Sequence, residues 1–415
     1  MQISTVSVIV GLAILASLLF ELWLDRRQVR WISGHRESVP PAFAGRITLE
    51  EHQKSVDYSV AKLKAAMSDS FLSAWLTVIL LIGGLFGNFE KLAMKFAGNG
   101  YLAGLLLAGA TALFYAVFEL PSAWRRTFRI EQKFGFNRTT PGLFIADMAK
   151  GAAVAIVLGA PFILAIDFIL RNVGEYWWLA GWALYVGFNL IMLLIIPTFV
   201  IPLFNKLEPI DDGALRGRIE TLLKRCGFRS NGLFKMDASK RSGHGNAFFT
   251  GFGPSKRIVL FDTIIASLST EEIEAVLAHE LGHFKLKHIV KRMATMLVIS
   301  LVGFAVIGWL IAQRWFAAAF GVGTDMPLAS LILAILVLPA FTGWFSGFSN
   351  WRSRVHEFEA DAYAAGQTNG ADLASALLKL HKDNAAPSTT DPVYSTFKHS
   401  HPPTAERIAR LRTAF

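Results

Sequence analysis

The segment at residues 278–283 (AHELGH) carries the residue types of a metal-dependent hydrolase. His279 and His283 are four residues apart, so on a helix both imidazoles lie on one face and can reach one metal ion. Glu280 follows the first imidazole, where a carboxylate can take a proton from metal-bound water. The spacing predicts a zinc hydrolase, and the alternative is a solvated helix that happens to carry these three residues.

The residues before this segment predict the start of a helix. Ser269 and Glu272 have the spacing of a capping box, with Ser269 as the N-cap residue and Glu272 reaching back to it. Apolar residues then recur at helical spacing, at Ile273, Val276, Leu277 and Leu281. The metal motif is therefore predicted to lie inside a helix, as its chemistry requires.

Zinc catalysis needs a third protein ligand and one position left open for water. Glu357 is the best candidate for this ligand. Asp361 lies four residues later on the same helix face, where it can accept a hydrogen bond from a ligand imidazole. The rival ligands are Glu359, His356 and His288, for which an ordinary exposed polar side chain is the favoured interpretation.

The composition is that of a membrane protein. The 415 residues are 53% hydrophobic and 17% charged, whereas soluble globular chains carry about 25% charged residues. The lone cysteine, Cys226, excludes an intramolecular disulfide framework, and no Cys cluster offers another metal site. Basic loops that face the cytoplasm and anionic lipid explain the net charge of +10, so no nucleic-acid partner is predicted.

Seven segments are long and apolar enough to span a bilayer, which requires about 20 residues. They are residues 4–24, 70–89, 101–120, 152–170, 177–204, 292–313 and 326–347. Arg and Lys are concentrated in the first and third loops, and the intervening short loops hold few basic residues. By the positive-inside rule, the N-terminus is outside and the odd-numbered spans end in the cytoplasm.

This orientation places two larger soluble regions on the cytoplasmic side, 205–291 with the HExxH helix and 348–415 with the third ligand. They must fold together to complete a metal site, because spans six and seven, 292–347, separate them in the sequence. Spans one to five and their loops occupy 1–204. The predicted fold is a mainly α polytopic membrane protein, whose zincin-like cytoplasmic metalloprotease domain is split by spans six and seven.

Two short runs before the metal helix predict strands. Residues 257–262 (RIVLFD) are rich in β-branched residues, and the aromatic, Gly-punctuated residues 246–253 (NAFFTGFG) have the pattern of an edge strand. A zinc protease needs such an edge, because the substrate backbone is held extended by strand addition. Asn246 can bond the substrate main chain or stabilise the oxyanion, or it can be a turn residue that opens a hairpin.

Two polar residues near the C-terminus are candidates for contact with substrate. Pro402 and Pro403 precede a helix, and His401 at its entry can donate to a tetrahedral intermediate. Arg407 can bind a substrate carboxylate through its planar guanidinium group. From chemistry alone, both residues are more often structural.

Ordered motifs run from about residue 120 to the end of the chain. They are residues 131–139 (EQKFGFNRT), 202–206 (PLFNK), 239–248 (SKRSGHGNAF), 257–263 (RIVLFDT), 279–283 (HELGH), 357–361 (EFEAD) and 401–407 (HPPTAER). With these motifs, the chain resembles the integral-membrane zinc CAAX prenyl proteases of type 1, which include yeast, human and bacterial members. The predicted number of spans agrees with this resemblance.

The resemblance implies the roles of several residues. It implies that the spans surround a large water-filled chamber, with the zinc site facing its inside near the cytoplasmic end. His279, His283 and Glu357 would be the zinc ligands, and Glu280 would be the general base and acid. Family positions associated with substrate binding or transition-state contacts are occupied here by Asn246, His401 and Arg407.

The resemblance also implies a reaction and its partners. The family removes the C-terminal aaX tripeptide from prenylated CAAX proteins, so the expected partners are a peptide or protein substrate and the lipid bilayer. Gly243 and Gly245 stand where other members often carry small polar or Ala residues, which leaves the catalytic set intact. The compact length and the lack of a retention signal at residues 413–415 predict a bacterial inner membrane, with the endoplasmic reticulum membrane as the alternative.

Two other functions use parts of the same pattern. A membrane quality-control zinc protease would share the two metal motifs, but the related heat-shock metalloproteases are shorter and have fewer spans. A channel or transporter with structural zinc would need a closed site of four ligands, usually rich in Cys. The seven spans, the HPPTAER segment and the absence of nearby Cys favour the prenyl-protease type.

Overall fold

The structure is a computed structural model that describes residues 4–211, 213–228, 230, 232–250, 257–323 and 325–413. Residues 251–253 of the predicted edge strand lie outside these residues, as do 414 and 415, on which the prediction about a retention signal depends. The first helices are α1 Thr5–Gly34, α2 Leu49–Leu81, α3 Leu85–Ala97, α4 Tyr101–Arg125, α5 Gln132–Phe134, α6 Pro141–Asn172, α7 Trp177–Ile195 and α8 Ile201–Phe204. Turns of π-helix at Arg126–Glu131 and Ile196–Val200 join α4 to α5 and α7 to α8.

Among the described residues, seven helical segments are long and apolar enough to cross a membrane, so the predicted number of spans is confirmed. These spans are Thr5–Gly34, Leu49–Leu81, Tyr101–Phe134, Pro141–Asn172, Gly174–Phe204, His288–Ile311 and Pro327–Gln367. A helix is the expected form of each span, because a backbone in lipid must satisfy its hydrogen bonds within the segment.

The prediction for the second span was wrong in its boundaries. The sequence placed this span at 70–89, but α2 begins at Leu49 and ends at Leu81, and α3 begins at Leu85. Gly84 separates the two helices in the left-handed conformation (φ 76°), which glycine adopts at no steric cost. Hydropathy missed the start of α2 because residues 49–64 are polar, and it ran past the end because apolar residues continue into α3.

A small sheet and a second set of helices form the catalytic region and the last two spans. The strands are β1 Leu207–Pro209, β2 Leu233–Met236, β3 Ala247–Thr250 and β4 Arg257–Phe261, in the spatial order β1-β2-β4-β3. The helices are α9 Gly213–Arg225, α10 Asp262–Ser267, α11 Thr270–Lys285, α12 His288–Ile311, α13 Arg314–Ala318, α14 Pro327–Val337, α15 Pro339–Thr342, α16 Ser346–Gln367, α17 Gly370–Asp383, α18 Pro392–Lys398 and α19 Thr404–Thr413.

Strand β3 lies at the edge of the sheet, so the prediction of an edge strand is confirmed. It pairs antiparallel with β4, where Ala247 lies opposite Leu260 and Phe249 lies opposite Ile258. The other pairs are β2 with β4, which are parallel, and β1 with β2, which are antiparallel. One side of β3 is therefore left without a strand neighbour among the described residues.

Two hydrophobic cores hold the molecule together. The core between the spans includes Leu80, Leu107, Phe316, Phe320 and Met326, and the core of the catalytic region includes Ile219, Leu222, Ile258, Leu277 and Ala364. In the second core, each fully buried large apolar side chain contributes roughly 1.5–3 kcal/mol by leaving water. Between the spans the driving force is tight packing instead, since lipid tails are as apolar as leucine.

The metal helix α11 packs along α16, which is the last helix of the seventh span. Glycine at position 282 permits this approach, because a Cβ there would lie 3.1 Å from the Cα of Ala360 and 3.2 Å from its carbonyl oxygen. The predicted boundaries at 291–292 and 347–348 fall inside α12 and α16. The region with the HExxH helix therefore joins span six through the short turn at 286–287, and α16 belongs both to span seven and to the region with the third ligand.

Ion pairs between distant segments fix the catalytic region against the spans. Asp391, at the start of α18, accepts two hydrogen bonds from Arg27 of α1, at 2.8 and 3.2 Å. Arg241, between β2 and β3, likewise binds Asp147 of α6 through two nitrogens, at 2.7 and 3.0 Å. Such two-pronged Arg–carboxylate pairs set orientation as well as distance.

A buried histidine in α17 predicts a loss of stability at mildly acidic pH. His381 stacks on Phe43, and burial, with the charge of His52 as a smaller cause, lowers its pKa to about 4. Between about pH 6.5 and 4 the unfolded chain therefore binds more protons at this residue than the folded chain. Its contribution to stability is fully present above that range, and up to about 3 kcal/mol is lost as the pH falls through it. We expect the apparent unfolding temperature in detergent to fall over this range.

The comparison of two histidine variants tests this expectation. The His381→Gln variant cannot titrate at this position, so its unfolding temperature should depend less on pH than that of the wild type. His35→Gln is the matched control, because it makes the same substitution at an exposed histidine. Its unfolding temperature should depend on pH as that of the wild type does. An unchanged pH dependence in His381→Gln would remove His381 as the cause.

Candidate metal centre

The start of α11 sets the orientation of the metal motif. The predicted capping box is present, with the Ser269 side chain accepting from the N–H of Glu272 at 3.3 Å and Glu272 accepting from the N–H of Ser269 at 2.7 Å. An N-cap of this kind is worth about 1 kcal/mol relative to alanine. The helix runs unbroken from Thr270 to Lys285, so His279 and His283 lie one turn apart on one face.

The structure brings the three residues predicted as ligands together, although Glu357 lies on α16, far from α11 in the sequence. The Nε2 atoms of His279 and His283 are 3.2 Å apart. The carboxylate of Glu357 reaches both, with Oε2 3.5 Å from His279 and Oε1 3.4 Å from His283. Among the described residues, no fourth His, Cys, Asp or Glu joins this group.

These residues fit a metal ion. Ligand atoms that each lie about 2.0–2.1 Å from one ion in a tetrahedron are about 3.3 Å apart, which matches the three separations. The Oε2 atom of Glu357 is buried and accepts no hydrogen bond, although Nδ1 of His401 lies 2.8 Å away and Nη1 of Arg407 lies 3.5 Å away. A buried carboxylate oxygen that accepts no hydrogen bond is costly unless a cation compensates its charge, as a bound metal ion would.

A salt bridge behind His279 orients its ring. The Nδ1 atom lies 2.8 Å from Oδ1 of Asp361, which in turn accepts two hydrogen bonds from Arg407 at 2.6 and 2.8 Å. Burial disfavours a charge on His279, but the bonds to Asp361 and Glu357 outweigh it and raise the pKa of this imidazole to about 9. A metal binds the neutral ring, so Nε2 must lose its proton; Asp361 then keeps the remaining proton on Nδ1, and the lone pair of Nε2 points toward Glu357 and His283.

The other predicted site residues lie at different depths. Glu280 is half-buried beside His279 and forms no salt bridge among the described residues. His401 is 67% exposed, and its contact with Glu357 places it at the rim of the ligand group. Arg407 was predicted to bind a substrate carboxylate, but its planar fork engages Asp361 here, and its substrate contact stays a prediction.

Asn246 precedes the edge strand β3. Its side-chain oxygen accepts from the N–H of Ala247 at 2.8 Å, and its carbonyl accepts from the N–H of Phe261 at 3.1 Å. The side chain is exposed. This placement agrees with a residue that opens the β3–β4 pairing, and it leaves the side chain accessible to a strand added along β3.

Comparison with known proteins decides the family. Residues 28–206 match the CAAX prenyl protease N-terminal family, described as five membrane helices, and residues 209–414 match peptidase family M48. A CAAX prenyl protease 1 homolog from Arabidopsis thaliana is 34% identical, with 99% of this chain and 98% of that protein covered. The Saccharomyces cerevisiae CAAX prenyl protease 1 is 32% identical over 96% of this chain and 93% of its own. The crystal structure of S. mikatae Ste24p superposes with a TM-score of 0.92 at 30% identity, covering 98% of both chains.

The chain belongs to the M48 peptidase family. It is a multi-pass membrane metalloprotease of the CAAX prenyl protease type. The resemblance inferred from the ordered motifs is therefore confirmed, as is the fold class of a mainly α polytopic membrane protein. The metal that such a peptidase requires fits the group formed by His279, His283 and Glu357.

One prediction about the surroundings of the M48 peptidase centre was wrong. His288 was interpreted as an exposed polar side chain, but it is 1% exposed and lies against His283. Glu359 and His356 are exposed and half-buried respectively, and they contact His288 rather than the ligand group. His288 is buried because the chain turns after the end of α11, and α12 begins at His288 itself.

Sequence reasoning also missed His244, which joins the sheet region of the M48 peptidase to its spans. Its Nε2 atom lies 3.3 Å from the hydroxyl of Tyr58 and 3.4 Å from Oε2 of Glu131, and its Nδ1 atom lies 3.1 Å from Oδ1 of Asn384. Phe136 stacks on the imidazole ring. The position of His244 inside the SGHGN segment was a signal that could have marked it.

Cavities open between the spans of the peptidase. One of about 680 Å³ is lined in part by Tyr58, Lys62 and Glu131, and a second of about 430 Å³ is lined in part by Glu21 and Glu119. The two cavities adjoin, since Asp69 and Ser70 line both. The chamber that the resemblance implies, and its opening to the metal centre, stay predictions.

Proposed function

We propose that this protein is a zinc metalloendopeptidase that cleaves the C-terminal aaX from prenylated CAAX-type substrates. The convergence of Glu357 with His279 and His283, in a chain whose relatives are named CAAX prenyl proteases, supports this function most directly. Zinc suits a centre of two imidazoles and one carboxylate with an open position, which is a known catalytic ligand set. Closed structural zinc sites instead use four protein ligands.

In this mechanism, zinc would supply an acidified water molecule and would polarise the scissile carbonyl group. Glu280 is the general base, because its carboxylate is adjacent to His279 and is not committed to a salt bridge among the described residues. The same carboxylate then passes the proton to the leaving amine. Asp361 and Arg407 hold the His279 ring in the tautomer that presents Nε2 to the centre.

The remaining residues are assigned to the substrate. His401 is exposed at the rim beside Glu357, so its imidazole can donate to the tetrahedral intermediate. Asn246, at the entry of the edge strand, can bond the main chain of a substrate that pairs with β3. Arg407 is a candidate for the substrate carboxylate only if its pairing with Asp361 relaxes.

The catalytic region is proposed to face the cytoplasm. The basic residues counted for the cytoplasmic side by the positive-inside rule include Arg27, which lies in the last third of α1 and binds Asp391 of the catalytic region. This contact supports a placement of the metal centre on the same side of the spans as the basic loops. A bacterial inner membrane is the proposed location, and the endoplasmic reticulum membrane is the alternative.

The decisive experiment compares two peptides of one CAAX sequence, one farnesylated and one not. We expect the purified protein to release the aaX tripeptide from the farnesylated peptide, and mass spectrometry locates the cut. A chelator should stop the reaction, because the water and carbonyl lose their metal. The Glu280→Gln protein, prepared in the same way, controls for contaminating proteases.

Other outcomes would change the assignment. Equal cleavage of both peptides, or cuts at internal sites of unfolded membrane proteins, would favour the quality-control protease. No chelator-sensitive cleavage of either peptide would contradict the proposed function.

A further inference from the structure

The second zinc ligand, His283, is supported through another histidine. Its Nδ1 atom lies 3.0 Å from Nδ1 of His288, and Nε2 of His288 lies 2.8 Å from Oε2 of Glu359. His288 is 1% exposed, so its two ring nitrogens have these two partners in place of water. The arrangement parallels the contact of Asp361 with His279, with one imidazole inserted between ligand and carboxylate.

This contact depends on a break in the helix. Residues five apart on a continuous helix are about 140° apart around its axis, so His283 and His288 would not meet there. Helix α11 ends at Lys285, and Lys287 adopts a left-handed conformation with φ 57°. The turn brings the His288 ring back onto His283. A left-handed lysine is uncommon and carries a local backbone cost.

Proton counting assigns a direction to the chain of hydrogen bonds. The ionised carboxylate of Glu359 only accepts, so Nε2 of His288 carries the proton. A neutral His288 then accepts at Nδ1, and His283 donates from its own Nδ1. This tautomer leaves the lone pair of His283 Nε2 directed at the atoms of His279 and Glu357.

The same cluster, His288 with His356 and Glu359, has the residue types of a second metal site. Its geometry argues against that use. The rings of His288 and His356 are stacked at 4.1 Å and 8°, so the lone pairs in their planes run nearly parallel and do not meet. A metal on Nε2 of His288 would also move its proton to Nδ1, and His283 would then have to hold its proton on the nitrogen that faces the first site.

We propose that His288 and Glu359 are positioning residues that orient His283 and fix its tautomer for metal binding. The proposal rests on the metal centre proposed above. Loss of outer partners of this kind typically lowers metal affinity by about 10–100-fold. The zinc affinity of a variant should depend on whether residue 288 can accept the hydrogen bond from His283, not on the volume of its side chain.

The test is a competition for zinc between the metal-free full-length protein and a chromophoric chelator. We expect His288→Phe, which keeps a ring in the cavity but no acceptor, to bind zinc about 10–100-fold more weakly. His288→Asn places an oxygen near the position of Nδ1 and should recover much of the affinity. Glu359→Ala should lie between the wild type and His288→Phe. Cobalt-loaded protein should show a shifted visible band in His288→Phe, which a loss of packing alone would not produce.

Two controls separate the possible outcomes. The His356→Phe variant keeps the stacked ring and should bind zinc as the wild type does; a loss as large as that of His288→Phe would assign the effect to packing and overturn the proposal. The His279→Ala variant removes a ligand and should lose zinc. If His279→Ala loses zinc while His288→Phe, His288→Asn and Glu359→Ala bind zinc as the wild type does, this inference fails and the metal centre stands. If His279→Ala itself binds zinc normally, the proposed function fails. Two zinc ions per wild-type chain and one in His288→Phe would assign a second metal site instead.

Discussion

The Glu280→Gln variant is expected to lose about 10²–10⁴-fold in kcat, the range that general acid–base catalysis supplies. Glutamine has nearly the size and shape of glutamate but cannot take up the proton of the attacking water. The variant should keep its bound metal, because Glu280 is not among the residues whose ligand atoms converge. KM should change little, since the lost interaction belongs to the transition state.

Stability should not change in the Glu280→Gln variant. Glu280 is half-buried and, within the described part of the chain, takes part in no salt bridge. Its charge does favour the cationic form of Arg407, but Asp361 is the main partner of that guanidinium group. A loss of activity with unchanged unfolding temperature and unchanged metal content would therefore locate the effect in the chemical step.

The measurement is steady-state cleavage of the farnesylated peptide, with metal determined by elemental analysis of the same sample. Glu271→Gln is the matched control, because it makes the same substitution on the same helix at a half-exposed side chain that pairs with Arg218 at 2.8 Å. It should cleave at the wild-type rate. Full activity in Glu280→Gln would remove Glu280 as the general base.

The metal helix was predictable because all its signals are local. Ser269 and Glu272 cap it, its apolar residues repeat with helical spacing, and His279 and His283 are separated by one turn. Each signal acts within a few residues, where the geometry of the helix backbone determines which side chains are neighbours. The number of spans was predictable for a similar reason, since each span must by itself be long and apolar enough to cross the bilayer and must satisfy its own backbone hydrogen bonds.

The meeting of Glu357 with α11 depends on contacts that residue spacing does not encode. The sequence suggested Glu357 by residue type and by its partner Asp361. The packing of α16 against α11 at Gly282 is what carries the carboxylate to the imidazoles. The same limitation explains Arg407, because its burial against Asp361 follows from how α19 packs.

The position of His288 was missed for a different physical reason. On a continuous helix His288 would lie on another face from His283, and the turn between them contains no glycine or proline to mark it. Lys287 adopts the left-handed conformation at this turn, which is uncommon for a residue other than glycine and is not predicted by residue type. The boundary of the second span was missed because hydropathy depends only on composition, and α2 begins in a polar stretch before its apolar half.

The Glu357→Ala variant is expected to be purified with little or no bound metal. The remaining His279 and His283 would offer two nitrogen atoms without the anionic oxygen, and two ligands hold zinc far more weakly than three. The affinity should fall by more than the roughly 100-fold upper limit expected for an outer-shell partner such as His288. Cleavage should be lost together with the metal, in contrast to Glu280→Gln.

The fold should survive this change well enough for the measurement. Glu357 is buried, but its neighbour Arg407 keeps the two hydrogen bonds that it donates to Asp361, so it is not left as an unpaired buried charge. Removing the carboxylate also relieves its own unsatisfied Oε2 atom. Glu357→Gln keeps the volume and provides a second variant should the alanine protein be unstable.

Elemental analysis of the metal-to-protein ratio decides the role of Glu357, with His356→Phe as the control from the same helix. The control should retain about one metal ion per chain, because His356 contacts the ring of His288 and not the ligand atoms. If Glu357→Ala also retains one ion per chain, the third ligand must be Glu359 or a histidine. The convergence of Glu357 with both imidazoles would then be a consequence of helix packing alone, and the catalytic centre would have to be rebuilt around a different oxygen or nitrogen.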